Sequence, residues 1–430
     1  MATVAQPAAF FGWRVVNAAF VLAVFGWGVG FYGPPVFLST VREARGWSLV
    51  LVSTAVTVHF LIGALTAANL PALYARFGGP AVTKAAAAAL AIGICGWAAA
   101  AEPWQLFAAT LFSGAGWGAM NAAALNALIS PWFLRTRPAA LAAAYNGGSC
   151  GGIIFSPLWL FAIGSLGFST AAAAIGVVMT VTVWLLADLL LSRTPEQMGL
   201  APDGDDPDRS PPAMPASASA TPLPGSALWR DIRFLTLAAG MSLGMFAQIG
   251  LIAHLVSLLV PIYGKHLAGL AMGLITVMAM AGRSAIGRLM PAGADRRLLA
   301  CAGYAVQLAG CLILAQAAGA SLAVLLLGLA LFGVGFGNAN LLPPLIAQVE
   351  FAREDVARVV GLIFGIAQSF FAFAPAAFGL IREVSLLAGP SAAEIAPHAF
   401  IAAAAVQALA IGAFLLGRRR SRVAKSAAAA

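Results

Sequence analysis

Charged residues are scarce in this chain. Only 9% of its 430 residues are Asp, Glu, Lys or Arg, whereas 61% are hydrophobic. Soluble globular domains carry about 25% charged residues, so this composition excludes an ordinary soluble protein and indicates an integral membrane protein. The basic residues lie singly between apolar runs and form no patch typical of nucleic-acid binding. We therefore expect no nucleic-acid partner, in spite of a net charge of +9.

Cysteine is also rare, and the usual catalytic and metal-binding patterns are missing. The thiols lie inside apolar runs, where they behave as small hydrophobic side chains without metal-ligand spacing. The sequence contains no P-loop, no paired catalytic carboxylates and no nucleophile with a matching base. We expect no metal, no cofactor and no enzymatic activity. The four cysteines are Cys95, Cys150, Cys301 and Cys311.

Long apolar stretches dominate the rest of the chain. Cutting at charges and at Pro/Gly clusters, with about 20 apolar residues required per span, predicts twelve membrane spans. The first starts right after Arg14 and ends without an A-x-A-like site, so we interpret it as a retained span and not as a cleaved signal. The spans are predicted at about 15–38, 49–73, 82–101, 104–128, 139–163, 170–191, 234–260, 267–290, 298–317, 321–347, 358–381 and 397–416.

A polar segment separates the sixth span from the seventh. Residues 193–230 include four aspartates and the run SPPAMPASASATPLPG, a composition that cannot bury a core and favours a flexible linker. The predicted organisation is an N-terminal six-helix bundle at 1–192, the linker at 193–230, a C-terminal six-helix bundle at 231–417 and a basic tail at 418–430.

Lys and Arg are distributed unevenly between the two predicted sides of the membrane. An even number of spans places both termini on one side, and that side, with the linker, carries 19 basic residues. The opposite side carries four, and the last of the 24, Arg283, lies inside a span. Because positive charge marks the cytoplasmic side, we predict cytoplasmic termini and linker for a multi-pass protein of the inner (plasma) membrane.

The two halves resemble each other in sequence. A shift of 219 positions superimposes a glycine-rich part of the fourth span on a similar part of the tenth. Internal symmetry between two six-span halves is typical of transporters with a substrate site between the halves, although glycine-rich helices occur in any membrane bundle. The matched residues are Gly114, Gly116, Trp117, Gly118 and Asn121 with Gly333, Gly335, Phe336, Gly337 and Asn340.

The loop after the second span carries a recognisable motif. It reads PALYARFGGP at 71–80 and resembles the signature G-x-L-x-D-R-x-G-x-R of the major facilitator superfamily, with Leu73, Arg76 and Gly78 matching. The acidic position is Ala75, so the charge relay usual for this loop lacks its acid. A second copy begins at Gly287 and Arg288. Across nearly the whole chain outside the linker, the resemblance implies an all-α membrane protein of twelve helices in two six-helix pseudo-repeats, with Arg76, Gly78, Gly287 and Arg288 in conformational loops.

Finer motifs resemble the branch that holds oxalate/formate antiporters and monocarboxylate transporters. They are FGWR at 11–14, YGPPVF at 32–37, GWS at 46–48 and PEQMGLAPDG at 195–204. In that branch an arginine of the eighth span pairs with the substrate carboxylate, and Arg283 stands at the matching position. Ala279 replaces the aspartate of monocarboxylate transporters, and the eleventh span lacks the lysine of oxalate antiporters. The resemblance therefore implies one fixed positive charge and a monoanionic substrate.

Arg283 has one functional interpretation and two structural ones. A charge at membrane depth is unfavourable by a few kcal/mol and by default marks a functional site, and a guanidinium can bind a carboxylate through two parallel N–H bonds. However, Arg283 lies five residues before Arg288, about 7.5 Å along a helix. Its side chain could instead extend to the membrane interface or form a hydrogen bond between helices.

Other polar residues inside the spans are candidates for the transport pathway. We predict that Gln368, Tyr32, Asn121, Tyr145 and Asn340 bind substrate together with Arg283. His59 and His254 could carry a proton, since imidazole titrates near neutral pH; the alternative for each is a structural hydrogen bond.

Asp188 is interpreted as part of an ion pair at the membrane interface. The charged loop from Glu350 to Arg358 is interpreted as solvated.

Together these features predict a transporter that moves a small organic anion by alternating access. The expected partners are that anion, the lipid bilayer, and protons or a counter-anion; we expect a monomer. Two alternatives remain open: an exporter of apolar or drug-like compounds, which suits the Phe- and Met-rich spans, and a non-transporting receptor or scaffold, since a fold does not determine a function.

Overall fold

The computed structural model describes residues 10–205, 222–223, 225–291, 293–316, 322–387 and 392–429, and its secondary structure there is helical. Part of the predicted linker, 206–221, lies outside these ranges. Short π-helical segments extend α1 at Gly26–Phe31 and α8 at Ala187–Leu191. The helices are α1 Gly12–Phe25, α2 Gly33–Arg45, α3 Leu49–Phe77, α4 Gly79–Ala99, α5 Pro103–Gly118, α6 Ala122–Ile129, α7 Arg137–Leu166, α8 Phe168–Leu186, α9 Ile232–Leu289, α10 Arg296–Gln316, α11 Leu322–Phe336, α12 Leu342–Glu350, α13 Arg353–Phe371, α14 Ala374–Leu387 and α15 Ala392–Ala429.

Ten helical stretches in the described ranges are long and apolar enough to cross a membrane. The two predicted spans missing from this set are the fourth and the tenth, and both are broken helices. The fourth consists of α5 and α6, and the tenth consists of α11 and α12. The all-α membrane fold is thus confirmed, and the ten stretches with the two broken helices are consistent with twelve spans.

The breaks have local causes. After α5 ends at Gly118, the buried side chain of Asn121 accepts a hydrogen bond of 2.9 Å from the backbone N–H of Ala123 and caps α6. In the second half, Pro343 and Pro344 open α12; proline lacks an N–H and is favoured in the first turn of a helix. The two breaks fall at positions related by the 219-residue shift, to within one residue.

The predicted loop between the seventh and eighth spans is helical in the structure. The sequence predicted spans at 234–260 and 267–290, but α9 runs without a break from Ile232 to Leu289. Two apolar windows within it, Ile232–Leu255 and Leu270–Leu289, are each suited to cross a membrane. The expected break depended on Pro261 and Lys265, and a single proline and a single charge do not suffice to end this helix.

Backbone contacts group the chain into two compact units. Unit 1 comprises Met1–Gly46 and Ala72–Met214, and unit 2 comprises Trp47–Pro71 and Pro215–Ala430. Most of α3 therefore groups with the C-terminal helices, whereas the sequence placed the second span in the bundle 1–192. The division into domains at 1–192, 193–230, 231–417 and 418–430 otherwise stays a prediction.

Glycines explain why α3 groups with unit 2. A Cβ atom on Gly361 or Gly365 of α13 would lie 3.0 or 2.8 Å from the carbonyl oxygens of Ala67 and Ala64. Only glycine permits so close an approach of α13 to α3. Each unit also has its own apolar core: Phe37 packs on Trp159 in unit 1, with ring centroids 4.7 Å apart, and Phe332 and Phe378 are fully buried in unit 2.

A carboxylate fastens the loop after α8 to the start of α7 in unit 1. Asp203, in the PEQMGLAPDG motif, accepts hydrogen bonds from the backbone N–H groups of Leu134, Arg135 and Thr136 at 3.1, 2.8 and 3.1 Å, and from the Thr136 hydroxyl. Its own N–H donates to the carbonyl of Trp132 at 2.9 Å. Its φ of 62° lies in the left-handed region. The motif is thus a structural clamp between two loops.

The clamp also shifts the acidity of Asp203. Its partial burial opposes ionisation, but the hydrogen bonds from Thr136, Arg135 and Leu134 outweigh burial and hold the pKa of Asp203 below its ordinary value. The carboxylate therefore stabilises the fold most above the pKa of an unfolded aspartate, about 3.9. That stabilisation is lost as the pH falls through the lowered pKa of the folded state.

We expect Asp203→Asn to lower the melting temperature of the detergent-solubilised protein, with a loss of about 1 kcal/mol, because hydrogen bonds to a charged carboxylate are replaced by weaker neutral ones. Asparagine tolerates the left-handed backbone, so the effect isolates the carboxylate. The matched control is Asp205→Asn, because the Asp205–Arg135 ion pair is 40% and 57% exposed and such pairs contribute about 0–1 kcal/mol. Differential scanning fluorimetry should show a lower melting temperature for Asp203→Asn than for Asp205→Asn, and this difference should disappear in acid. Equal melting temperatures at neutral pH would contradict the stabilising role of the Asp203 carboxylate.

Candidate functional site

Two of the predicted substrate-binding residues meet at the helix break of unit 1. Asn121 caps α6, and the Tyr145 hydroxyl of α7 donates a 3.0 Å hydrogen bond to the carbonyl of Ala122. Both side chains are 3% exposed. Because a backbone carbonyl at membrane depth has no water to pair with, these residues satisfy the broken backbone. Their predicted contact with substrate remains untested.

An aromatic cluster adjoins this break. Trp27 packs edge-on against Trp117 with ring centroids 5.0 Å apart, and Phe31 contacts the same Trp117 at 5.9 Å. Trp27 and Phe31 lie on the π-helical segment Gly26–Phe31, and segments of this kind often occur at functional sites. Tyr32, which follows the segment, lies against Gly152 of α7, where a Cβ atom would be 2.6 Å from its ring.

In unit 2, Arg283 lies where α9 contacts the break of the tenth span. It is 5% exposed, and its Nε donates a 2.8 Å hydrogen bond to the carbonyl of Gly337. Glycines allow this contact: a Cβ on Gly282 would lie 2.2 Å from the Val334 oxygen, and a Cβ on Gly337 would lie 2.0 Å from the Ala279 oxygen. A larger residue at either position would separate the helices and break the arginine's hydrogen bond.

The burial of Arg283 distinguishes it from its neighbour Arg288. Arg288, five residues later on α9, is exposed, whereas Arg283 is buried. The side chain of Arg283 therefore does not extend to the surface. Of the interpretations weighed on the sequence, the structure favours a buried guanidinium bonded to another helix, and such a bond does not exclude a carboxylate as an additional partner.

Gln368 and Asn340 occupy other places in unit 2. The Gln368 side chain of α13 is 3% exposed and donates a 2.9 Å hydrogen bond to the Phe60 carbonyl of α3. Asn340 is half-buried in the turn between α11 and α12, three residues after Gly337. The predicted partnership of Gln368 and Arg283 around an anion stays a prediction, since each residue has its own helix contact.

Both candidate histidines belong to unit 2. His59 of α3 is fully buried, with its ring 5.1 Å from that of Phe60. His254 of α9 is half-buried, and its Nε2 lies 2.8 Å from the carbonyl of Pro375 in α14. A carbonyl only accepts, so Nε2 carries the hydrogen and Nδ1 is the nitrogen that would gain a proton.

The predicted conformational loops have simple local structures. Arg76 is exposed and lies over the ring of Phe77, 5.1 Å from its centroid. Gly78 joins α3 to α4 with a φ of 80°, which favours glycine. Gly287 is buried near the end of α9, and Arg288 is exposed beside it. Their conformational role stays a prediction.

The strongest charge network of unit 2 was not recognised in the sequence. Arg297 of α10 binds both carboxylate oxygens of Glu350 at 2.7 Å, and the two side chains are 1% and 7% exposed. Arg297 also donates to the Thr236 hydroxyl at 3.1 Å. The expectation of a solvated loop is thus wrong for Glu350, since desolvated charges require a partner. Asp188 forms an ion pair as expected, and its partner is Lys84.

Comparisons with known proteins agree with this architecture. A family model described as Major Facilitator Superfamily matches residues 16–376. No curated protein matches the chain. The crystal structure of the human organic anion transporter MFSD10 (TETRAN) is similar, with a TM-score of 0.61 and 18% identity, over 95% of this chain and 100% of that chain. At this identity the likeness shows the fold alone.

We expect Glu350→Gln to lower the stability of the protein by about 3–5 kcal/mol, because it leaves the buried Arg297 without its countercharge. The matched control is Arg418→Gln. Its ion pair with Asp295 is partly exposed, at 24% and 30%, and should contribute at most about 1 kcal/mol. Thermal unfolding of both variants in the same detergent provides the measurement, and similar small shifts for the two would show that the Arg297–Glu350 pair is not a main support of unit 2.

Proposed function

Because the chain belongs to the Major Facilitator Superfamily and is a multi-pass membrane transporter, we propose that its substrate is a small organic anion with one carboxylate, bound by Arg283 and moved by alternating access. The observation that carries this proposal is a guanidinium that is 5% exposed on a helix of membrane-spanning composition. Retaining such a charge requires a compensating role.

The surroundings of Arg283 suit an anion. One of its hydrogen-bond acceptors is the neutral carbonyl of Gly337, which orients the guanidinium. The whole of α9 contains no aspartate or glutamate. We infer that Arg283 binds the substrate carboxylate, to which a guanidinium presents paired N–H donors.

The charge pattern of the eleventh span favours a monoanion. The sequence has no basic residue between Arg358 and Arg382, so α13 adds no second positive charge within its apolar part. A dicarboxylate in a low-dielectric site would retain an uncompensated charge, which is strongly unfavourable. The name of the similar human structure includes an organic anion, which is compatible with this substrate class, but the argument rests on the residues of this chain.

We expect Arg283→Gln and Arg283→Lys to reduce uptake of a monocarboxylate into proteoliposomes by about 10- to 100-fold, the equivalent of a charge-assisted hydrogen bond of about 1.5–3 kcal/mol. Lysine keeps the charge but loses the paired donors. The matched control is Arg230→Gln, which removes an exposed arginine outside the predicted site and should transport like the unmodified protein. Uptake at normal rates by both Arg283 variants would refute the anion site.

The same preparation tests the exporter alternative. The aromatic cluster of Trp27, Phe31 and Trp117 in unit 1 could contact an apolar compound. A thermal-shift screen with monocarboxylates, dicarboxylates and apolar ligands then separates the candidates. We expect monocarboxylates to stabilise the protein; stabilisation by apolar ligands alone, unaffected by Arg283→Gln, would favour an exporter.

For the orientation and coupling we propose cytoplasmic termini in an inner membrane, supported by the distribution of basic residues, and coupling to protons or to a counter-anion. His254 is the better candidate for a proton carrier. The Pro375 carbonyl at 2.8 Å would stabilise an imidazolium as well as a neutral ring, so protonation need not disrupt the contact between α9 and α14.

If His254 carries the coupled proton, His254→Gln should abolish the stimulation of uptake by an inward proton gradient while leaving substrate counterflow intact. Glutamine can still donate to the Pro375 carbonyl but cannot gain a proton near neutral pH. His398→Gln is the matched control, because His398 is exposed. Stimulation that persists in His254→Gln would assign coupling to another residue or to anion exchange.

A further inference from the structure

A small cavity lies inside unit 2, beside the break of the tenth span. Its volume is about 10 Å³, and it is bounded by α10, the turn between α11 and α12, and α15. Three of its lining residues are polar, namely Tyr304, Gln307 and Asn338, and they are 3%, 1% and 6% exposed. The stacked rings of Tyr304 and Phe414, with centroids 5.8 Å apart, form one wall.

Two buried polar atoms of the lining residues have no protein partner among the described residues: the Tyr304 hydroxyl and Asn338 Oδ1. The orientation of Asn338 is determined by its other end, because Nδ2 donates a 3.2 Å hydrogen bond to the Val334 carbonyl at the end of α11. Its oxygen is therefore the atom that requires a donor. An unsatisfied buried polar group is strongly unfavourable in a native protein.

The third polar residue already belongs to a hydrogen-bond network. Gln307 Oε1 accepts from Gln248 Nε2 at 2.8 Å and more weakly from Gln407 Nε2 at 3.4 Å. These bonds connect α9, α10 and α15. The cavity thus adjoins a polar network and is not a packing defect between apolar side chains, which would stay dry.

We propose that this cavity binds one water molecule, which donates to Asn338 Oδ1 and pairs with the Tyr304 hydroxyl beside Gln307. The volume corresponds to about one water, for which roughly 10–15 Å³ suffices, and a buried water typically makes about three hydrogen bonds. A dehydrated sodium ion fits less well, since no carboxylate lines the cavity.

The proposed water would stabilise the turn between α11 and α12. Asn338 follows Gly337, whose carbonyl binds Arg283 on the α9 side of the same turn. The water would hold the α10 side of that turn. The broken tenth span is then fastened from two directions, by a guanidinium and by a water that can exchange without breaking a protein–protein bond.

X-ray radiolytic footprinting with mass spectrometry tests the proposal on the whole protein in detergent. Hydroxyl radicals formed from a bound water oxidise adjacent side chains even when these are buried. We expect Tyr304 and Phe414 to be oxidised several-fold faster than Trp97, the internal reference. Trp97 is 1% exposed, and its indole N–H is bonded to Ser113 at 3.2 Å.

Two variants identify the water's partners. Asn338→Leu removes the acceptor and should reduce oxidation of Tyr304 and Phe414 to the rate of Trp97. Should that variant fail to fold, Tyr304→Phe deletes only the hydroxyl and should reduce oxidation of Phe414. The proposal is overturned if Tyr304 reacts no faster than Trp97 in the unmodified protein, or if neither variant changes the rates. It is also overturned if sodium, but not potassium, raises the melting temperature and Asn338→Leu removes that effect.

Discussion

The constraint on which this structure depends is that backbone polar groups at membrane depth must find partners inside the protein. Ordinary spans satisfy it within the helix. The fourth and tenth spans do not, because each is interrupted, and polar side chains complete their hydrogen bonding. Asn121 and Tyr145 do so after α5, and Arg283 and Asn338 do so after α11. The breaks therefore determine where polar residues can be placed inside the spans.

Glycine gives these breaks their close packing. At Gly282 and Gly337 the backbones of α9 and α11 approach so closely that any Cβ would collide with a carbonyl oxygen. The same residue type brings α13 against α3 at Gly361 and Gly365. The glycine repeat recognised in the sequence thus corresponds to contacts that small residues permit between membrane helices. It does so in both halves of the chain, at positions related by the 219-residue shift.

Much of the fold, but less of the site, could be predicted from the sequence. Apolar length predicted most spans, because the hydrocarbon thickness determines it. The loop expected near Pro261 is absent, since one proline and one lysine are weak evidence for a turn. The breaks in the fourth and tenth spans were not predicted, because a glycine-rich apolar run has the same composition whether or not the helix is continuous.

Glu350 was misjudged as solvated because its partner Arg297 is 53 residues away, and only the fold brings them together. For the same reason the motif of Asp203 was matched to a family while its clamp on Thr136 was not foreseen.

A structural role of Arg283 is compatible with the substrate contact proposed for it. A guanidinium has five N–H donors in a rigid plane, and the bond to Gly337 uses Nε. Holding Nε fixes the plane and therefore the direction in which the terminal nitrogens point, which is the condition for gripping a carboxylate at two points. In the proposed function, the structural bond and the substrate contact would act together: the broken tenth span would orient the guanidinium that binds the carboxylate. A lysine at the same position would retain the charge, but it has no planar pair of N–H donors that a bond to Gly337 could orient toward a carboxylate.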